Sequence, residues 1–386
     1  MPPTHHPLLA EDRRPLVEEV RRLASEQLGD PRLPARDREG EFWREGWRRC
    51  AAIGLCGLPV PVELGGLGAD RVTTAATLEV VGYECADAGL LFSLNAHLWS
   101  AVIPLWQFGS PAQRERYLTR LCRGDWIGLH AMTEPDSGSD AFSLATVARR
   151  DADGYVIRGR KTLITNASEA SLFVVFARTP GSEGPLGVSP FLIEAGTKGL
   201  TVTSPIAKLG LRTSPLAEIV LDDVRVRSDG VLGREGRGAR VFAASMQWER
   251  LLIMSCQLGA LQRSLEEAVA HARRLRESGT PIVEIDAVSE KLVDVHIGLA
   301  TARALMYETA WRYDQGSNGP GPAAAVKLVA AETTLRATLA LLQVHGDQGY
   351  TGELPFERRL RDAIGGRLYS GTSELMRRIV ARDMGL

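Results

Sequence analysis

The chain has 386 residues, too many for one simple core, so two or three packed domains are expected. With 44% hydrophobic and 24% charged residues, its composition is that of an ordinary globular protein. The formal net charge of −1 excludes the basic excess that a general nucleic-acid binder would show.

No apolar run approaches the ~20 residues that a bilayer span needs, so no membrane partner is expected. The start, Met1-Pro-Pro-Thr-His-His-Pro7, lacks the basic-then-apolar pattern of a secretory signal. His5 and His6 are too short a pair for a metal site and are expected in a floppy terminus; no metal is expected. Cys50, Cys56, Cys85, Cys122 and Cys256 are scattered among apolar neighbours and read as reduced core residues of a cytoplasmic protein.

In chain order, the first third reads as helical. Leu16, Val20 and Leu23 mark an amphipathic helix that begins near Pro15. A second runs from about Glu41 to Ile53, and a Gly/Pro-punctuated loop spans Pro59 to Gly68. Further helices are expected over Thr73 to Cys85 and Gly89 to Phe108, and Ser110-Pro111 reads as the N-cap of a helix ending at Cys122. From about residue 128 the texture changes to short β runs: 155–157, 172–176, 190–193, 200–203 and 218–221. After residue 233 long helical periods return through to Ala381. Helices, strands and helices in sequence predict sequential domains and no alternating βαβ array.

Residues 130–140, His-Ala-Met-Thr-Glu-Pro-Asp-Ser-Gly-Ser-Asp, are the most informative stretch. Thr133, Ser137, Ser139 and the amides around Gly138 crowd hydrogen-bond donors into a tight turn, which suits an acceptor-rich planar ring. Pro-Asp-Ser-Gly is equally an ordinary surface turn. The second half of the signal lies far downstream, at Arg361-Asp362 and Tyr369-Ser-Gly-Thr-Ser-Glu374.

Together these segments resemble the flavin-binding signatures of the acyl-CoA dehydrogenase family. Leu58-Pro-Val-Pro-Val-Glu-Leu-Gly-Gly66, Gly159-Arg-Lys-Thr-Leu-Ile-Thr-Asn166, Lys208-Leu-Gly-Leu-Arg212 and Gln343-Val-His-Gly346 add to the likeness, which runs from about residue 12 to the end. The resemblance implies a mostly α, α+β fold: an N-terminal helical domain (1–127), a middle β-barrel-like domain (128–232) and a C-terminal four-helix bundle (233–386), commonly tetrameric. It also implies FAD. His130, Met132, Thr133, Gly138 and Ser139 would line the flavin ring, with Thr165 from the next loop. Thr372 and Glu374 would hold the ribityl–pyrophosphate–adenine end, and Gln343 and Gly346 would reach the cofactor of a neighbouring subunit. An electron-transfer flavoprotein or another acceptor would take the electrons.

Several positions depart from the family pattern. Leu275-Arg-Glu-Ser-Gly279 stands where Arg-x-x-Phe-Gly is usual, leaving Arg274 or Arg276 as a substitute phosphate partner. Asp347 replaces a glycine, and Leu163 replaces an aromatic residue beside the flavin.

Desaturating a thioester between Cα and Cβ requires a base for the α-proton. Most of the family carries a glutamate where this chain has Ser370, whose hydroxyl is far too weakly basic. Phe242, Met246, Glu249, Ile253, Cys256 and Ala260 recur at spacings of four, three, four, three and four, so Glu249 falls on an apolar helical stripe. An unpaired carboxylate there should have a raised pKa. The bland alternative is a Glu249 satisfied by a buried arginine. A minority of the family, including isovaleryl-type enzymes, place the base at this position, and Glu249 is the expected catalytic base.

Ser245-Met-Gln-Trp-Glu-Arg250 with Ser370-Gly-Thr-Ser resembles the acyl- and aminoacyl-carrier-protein dehydrogenases, such as those oxidising prolyl thioesters. Met246, Arg250, Ser370 and Gly371 would meet the substrate. By the same analogy Asn95, His97 and Trp99 would line the acyl pocket, although Trp99 reads equally as core and His97 as a satisfied buried histidine. Four readings stay open: a dehydrogenase of carrier-bound thioesters, the same chemistry on a short or branched CoA ester, a non-catalytic homologue without FAD, and a flavin monooxygenase or nitro-compound oxidase.

Overall fold

The computed structural model describes residues 6–179 and 184–386. Helices α1 (Arg14–Gln27), α2 (Leu33–Glu39), α3 (Arg44–Ala52), α4 (Arg71–Glu84), α5 (Ala88–Phe108) and α6 (111–122) precede the sheet. Pro15 lies in the first turn of α1, Asp70 caps α4 through the Thr73 amide, and Ser110 with Gln113 forms a reciprocal capping box on α6. The reading of the sequence missed α2, seven residues dominated by charge.

The middle segment is one seven-stranded sheet in the order β1-β4-β2-β3-β7-β6, with β5 also paired to β4. The strands are β1 (Gly128–Ala131), β2 (Val147–Asp151), β3 (Gly154–Thr165), β4 (Leu172–Arg178), β5 (Val188–Glu194), β6 (Leu200–Val202) and β7 (Leu216–Arg227). Every expected β run falls on a strand. Neither β1 nor β2 carries an alternating pattern: the first is four residues with a glycine, and the second turns Arg149, Arg150 and Asp151 outward.

Six helices follow: α7 (Gly238–Leu252), α8 (Ser255–Arg274), α9 (Asp286–Asp314), α10 (Pro320–Tyr350), α11 (Phe356–Gly365) and α12 (Ser373–Asp383). The first and last thirds of the chain share a single hydrophobic core, from Val17 and Trp47 through Leu78 to Trp248, Leu258 and Leu341. Glycines set how closely α4 and α8 cross. A Cβ on Gly82 would stand 2.0 Å from the Cys256 carbonyl oxygen, and one on Gly259 1.9 Å from that of Glu79. Glu79 is fully buried between these helices, paired with Arg303 at 2.6 Å and bonded by the Tyr307 hydroxyl at 3.1 Å, which ties α4 to α9.

Three expectations need correction. Helix α5 is long and apolar enough to cross a membrane, with 21 residues and an 18-residue window of mean hydropathy 1.4, against the reading that no such run exists. Its apolar window is 83% buried within the protein, which makes it a core helix. His6 is not floppy: its ring stacks on Tyr307 at 3.9 Å and its Nδ1 accepts the Leu8 amide, while His5 lies outside the described residues.

His97, expected at the acyl pocket, belongs to the framework. Its Nδ1 accepts the Gly128 amide at 2.9 Å, so Nε2 carries the proton toward the Cys56 carbonyl at 3.2 Å. It thereby pins the N-terminal helices to β1, and burial pushes its pKa down to about 4.

Replacing His97 with leucine strands two buried backbone groups and should cost about 2–4 kcal/mol, read as a lower melting temperature. Because the folded pKa lies below the ordinary 6.5, the histidine's contribution holds above pH 6.5 and is lost as pH falls toward 4. The melting temperature of His97→Leu should therefore fall less steeply over that window than the parent's.

Candidate active site

Glu249 sits near the end of α7, one helical turn before Ile253, on the apolar stripe seen in the sequence. Ile253 and Met254 keep right-handed backbone between α7 and α8, so the stripe continues unbroken to Cys256 and Ala260. The carboxylate is buried. Its Oε1 accepts the Ser370 hydroxyl at 2.5 Å, and its Oε2, equally buried, has no hydrogen-bond partner among the described residues.

No guanidinium locks the acid. The two nearest cations bond to carbonyl oxygens instead: Arg250 Nε to Ser370 at 3.3 Å and Lys327 Nζ to Gly371 at 2.6 Å. Burial raises the Glu249 pKa above the ordinary carboxylate range; the Ser370 hydrogen bond and the charges of Arg250 and Lys327 oppose that rise without cancelling it. Ser370 and Gly371 both have left-handed backbone, at φ +57 and +97, a conformation that costs a non-glycine residue ~1 kcal/mol or more.

A cavity begins one helical turn beyond the acid, at Ile253. Ile253, Cys256 and Ala260 line one side and Leu91, Phe92 and Asn95 from α5 the other, while Arg263, Arg359 and Asp362 add charge to its lining. Tyr369, adjacent to Ser370, packs its ring on Phe92 at 4.6 Å. Asn95 reaches this cavity but is already engaged: its amide nitrogen donates to the Leu91 carbonyl at 2.8 Å and its oxygen accepts the Trp99 indole at 2.9 Å. Trp99 is fully buried in a π-helical turn, stacked on Trp248 at 6.0 Å, with its carbonyl accepting the Ser245 hydroxyl at 2.6 Å. It is core and does not line this cavity, which corrects the expectation that it lines the acyl pocket and agrees with its alternative reading as core. Met246 is buried one turn before Glu249.

The Met132–Ser139 loop forms a second cluster. Lys161, fully buried on β3, reaches the Met132 carbonyl at 3.1 Å and Glu134 at 2.7 Å. Glu134 also accepts the amides of Ala145 and Thr146, and the Thr162 amide bonds to the Thr133 carbonyl at 3.0 Å. This buried ion pair therefore fixes the path of the loop. Ser137 offers nothing outward, since its hydroxyl donates to the Asp140 carbonyl at 2.5 Å.

What remains accessible suits a flat, acceptor-rich ring. Ser139 is exposed, Thr133 and Thr165 are half-buried, and open space lies where a Cβ would stand on Gly138. Leu163 lifts out of the β3 ladder at φ +56, an exposed apolar residue beside these donors. His130, pushed down to about 4 by burial, is neutral, and its Nδ1 has no partner.

The other expected cofactor residues lie apart. Thr372 caps α12 through the Leu375 amide, and Glu374 is exposed in its first turn. Gln343 and Gly346 line a separate cavity with Leu275, Lys291 and Asp347, and the backbone of α10 breaks at Gly346. Gln343 is sixteen residues beyond Lys327 on that helix, or about 24 Å. Arg276 is exposed and bonded to Gly279 in a short hairpin.

Sequence reasoning missed Lys327, the Lys161–Glu134 pair and the Ser370–Glu249 bond. A signal existed for the first: Lys327 interrupts Ala323-Ala-Ala-Val-Lys-Leu-Val-Ala-Ala331, where a lone cation must be buried or paired. Lys161 carried none, because the ladder shifts register between Lys161 and Ile164 and defeats the alternation argument.

Models of the acyl-CoA dehydrogenase N-terminal, middle and C-terminal domains match residues 10–125, 130–224 and 236–385. The L-prolyl-[peptidyl-carrier protein] dehydrogenase of Pseudomonas fluorescens is 37% identical over 346 residues, covering 89% of this chain and 91% of that protein. The human short-chain specific acyl-CoA dehydrogenase is 35% identical over 373 residues, covering 97% and 90%. Among solved structures, the prolyl acyl carrier protein oxidase AnaB superposes with a TM-score of 0.95 at 38% identity, covering 98% of this chain and all of that one. PigA with FAD and proline gives 0.95 at 35% identity, covering 98% of each chain. With all three domain models and these relatives matched along its length, the chain belongs to the acyl-CoA dehydrogenase family.

Proposed function

We propose that the protein is an FAD-dependent dehydrogenase that introduces an α,β-double bond into a short, branched or aminoacyl thioester carried on an acyl- or peptidyl-carrier protein, with Glu249 as the α-proton base. One observation carries this reading: a buried carboxylate, unpaired by any cation among the described residues and with one oxygen free, one helical turn from a cavity that Ile253, Leu91 and Phe92 help to wall. Burial makes the ionised acid a stronger base than a solvated carboxylate, which is what removal of a weakly acidic C–H requires.

His130, Met132, Thr133, Gly138, Ser139 and Thr165 would hold the flavin ring, on a loop kept rigid by Lys161 and Glu134. Thr372 and Glu374 would hold its tail, with Gln343 and Gly346 serving a neighbouring subunit in a homotetramer. Bound FAD supplies the two-electron acceptor for the hydride from Cβ. The apolar wall formed by Met246, Ile253 and Phe92 would exclude water from the reacting carbons. The relatives that act on prolyl-carrier proteins favour a carrier-bound substrate; the coverage of the short-chain acyl-CoA dehydrogenases makes a CoA ester the competing outcome.

Anaerobic bleaching of the flavin absorbance, with prolyl and isovaleryl groups presented as carrier-protein and CoA thioesters, tests the reading. Faster bleaching by a carrier-bound ester is expected; bleaching by CoA esters alone moves the substrate class, and none by any thioester overturns the reading.

Glu249→Gln should lose roughly 10²–10⁴-fold in bleaching rate while flavin stays bound. Unchanged turnover would place the base elsewhere.

Because the Glu249 pKa is raised, the acid limb of the bleaching rate should rise with pH and lie above 4.5. A limb at or below that value contradicts the role.

A further inference from the structure

Lys327 is fully buried on α10, and the chemistry above gives it no task. A buried ammonium is costly, and burial pushes its pKa down to about 8. Its one hydrogen bond runs to the Gly371 carbonyl at 2.6 Å, within a turn whose backbone is left-handed at both Ser370 and Gly371. Arg250 holds the other carbonyl of that turn, at Ser370. Two cations from two helices thus grip consecutive peptide groups, and between them the Ser370 hydroxyl meets Glu249.

We propose that Lys327, together with Arg250, is a positioning residue: by clamping the Ser370–Gly371 turn it holds the Ser370 hydroxyl on Oε1 of Glu249 and leaves Oε2 as the free proton-accepting oxygen. The catalytic consequence rests on Glu249 being the base; the clamp itself does not. Without the lysine bond, α10 holds only the flanks of the turn, where Glu332 accepts from Arg367 and Ser373, and Ser370 itself relaxes away from the acid. Glu249 then loses its only hydrogen bond and the constraint on its carboxylate plane.

The charged and titratable groups facing Glu249 are Arg250 from its own helix, Lys327 from α10 and the Tyr369 phenol beside Ser370. A variant can therefore act on the acid by charge or by geometry, and the two separate in a double-mutant cycle. The test compares Ser370→Ala, Lys327→Met and their combination, each alone and with Glu249→Gln as a reference that cannot ionise. Melting temperature is followed against pH. A carboxyl with a raised pKa contributes stability at low pH that disappears as pH rises through its folded value, so the difference from the reference inflects where Glu249 ionises.

The inflection should move up by about one pH unit in Ser370→Ala, the worth of one charge-assisted hydrogen bond. It should move at least as far in Lys327→Met, and the double variant should move no farther than Lys327→Met alone. Shifts that add in the double variant mean Lys327 acts by charge only and overturn the clamp, as does a Lys327→Met inflection left at the parent value. Should Lys327→Met not fold, Lys327→Gln, which loses both charge and reach, carries the same comparison. The thermal series needs no substrate: if no thioester bleaches the parent's flavin, the functional reading fails while the clamp is still decided.

Discussion

A carboxylate buried on an apolar helix face must be neutralised by a cation, protonated, or left poised, and the site around Glu249 is arranged for the third. Two cations stand close enough to influence the acid, yet both are bonded to carbonyl oxygens of the Ser370–Gly371 turn. Had either closed a direct ion pair with Glu249, the acid would be held ionised and weakly basic. Instead the group receives one hydroxyl hydrogen bond and keeps one oxygen free.

That arrangement requires three distant stretches of chain to meet, and the packing explains how they do. The first and last thirds build one common core, and the close crossing of α4 and α8 at Gly82 and Gly259 leaves no freedom to slide. With those helices locked, the stripe from Ile253 to Ala260 faces α5 across the cavity. The sheet joins through a separate interface, where Leu105, Leu121 and Val241 pack on Leu172, Val174 and Phe176, and His97 fixes where β1 begins.

The loop beside the proposed flavin ring is held by a different device. Lys161 and Glu134 form a buried pair bonded further by the Met132 carbonyl and by the Ala145 and Thr146 amides, so that each charge has its partner and the loop is held by backbone groups. The departures at Leu275 and Asp347 lie far from it, around the cavity that includes Gln343 and Gly346. In the proposed function those departures would bear on how a neighbouring subunit is met, and they lie outside the surroundings of Glu249.

Periodicity and capping carried most of the local structure. The 3.6-residue stripe marked α7 and α8 and placed Glu249 among apolar neighbours, Ser110 with Pro111 announced the N-cap of α6, and the β runs marked five of the seven strands in the sheet. Short or irregular elements escaped because they carry no period: α2 is mostly charge, and β1 is four residues. At the site, the sequence by itself determined that Glu249 lies among apolar neighbours and that Ser370 is too weakly basic to take a proton unaided. Only the tertiary structure decided that Ser370 is the acid's partner, that Lys327 holds the turn, and that His97 and Trp99 are framework. A side chain's bonding partner is set by which helices cross and at what distance, and no local pattern in the sequence encodes that crossing.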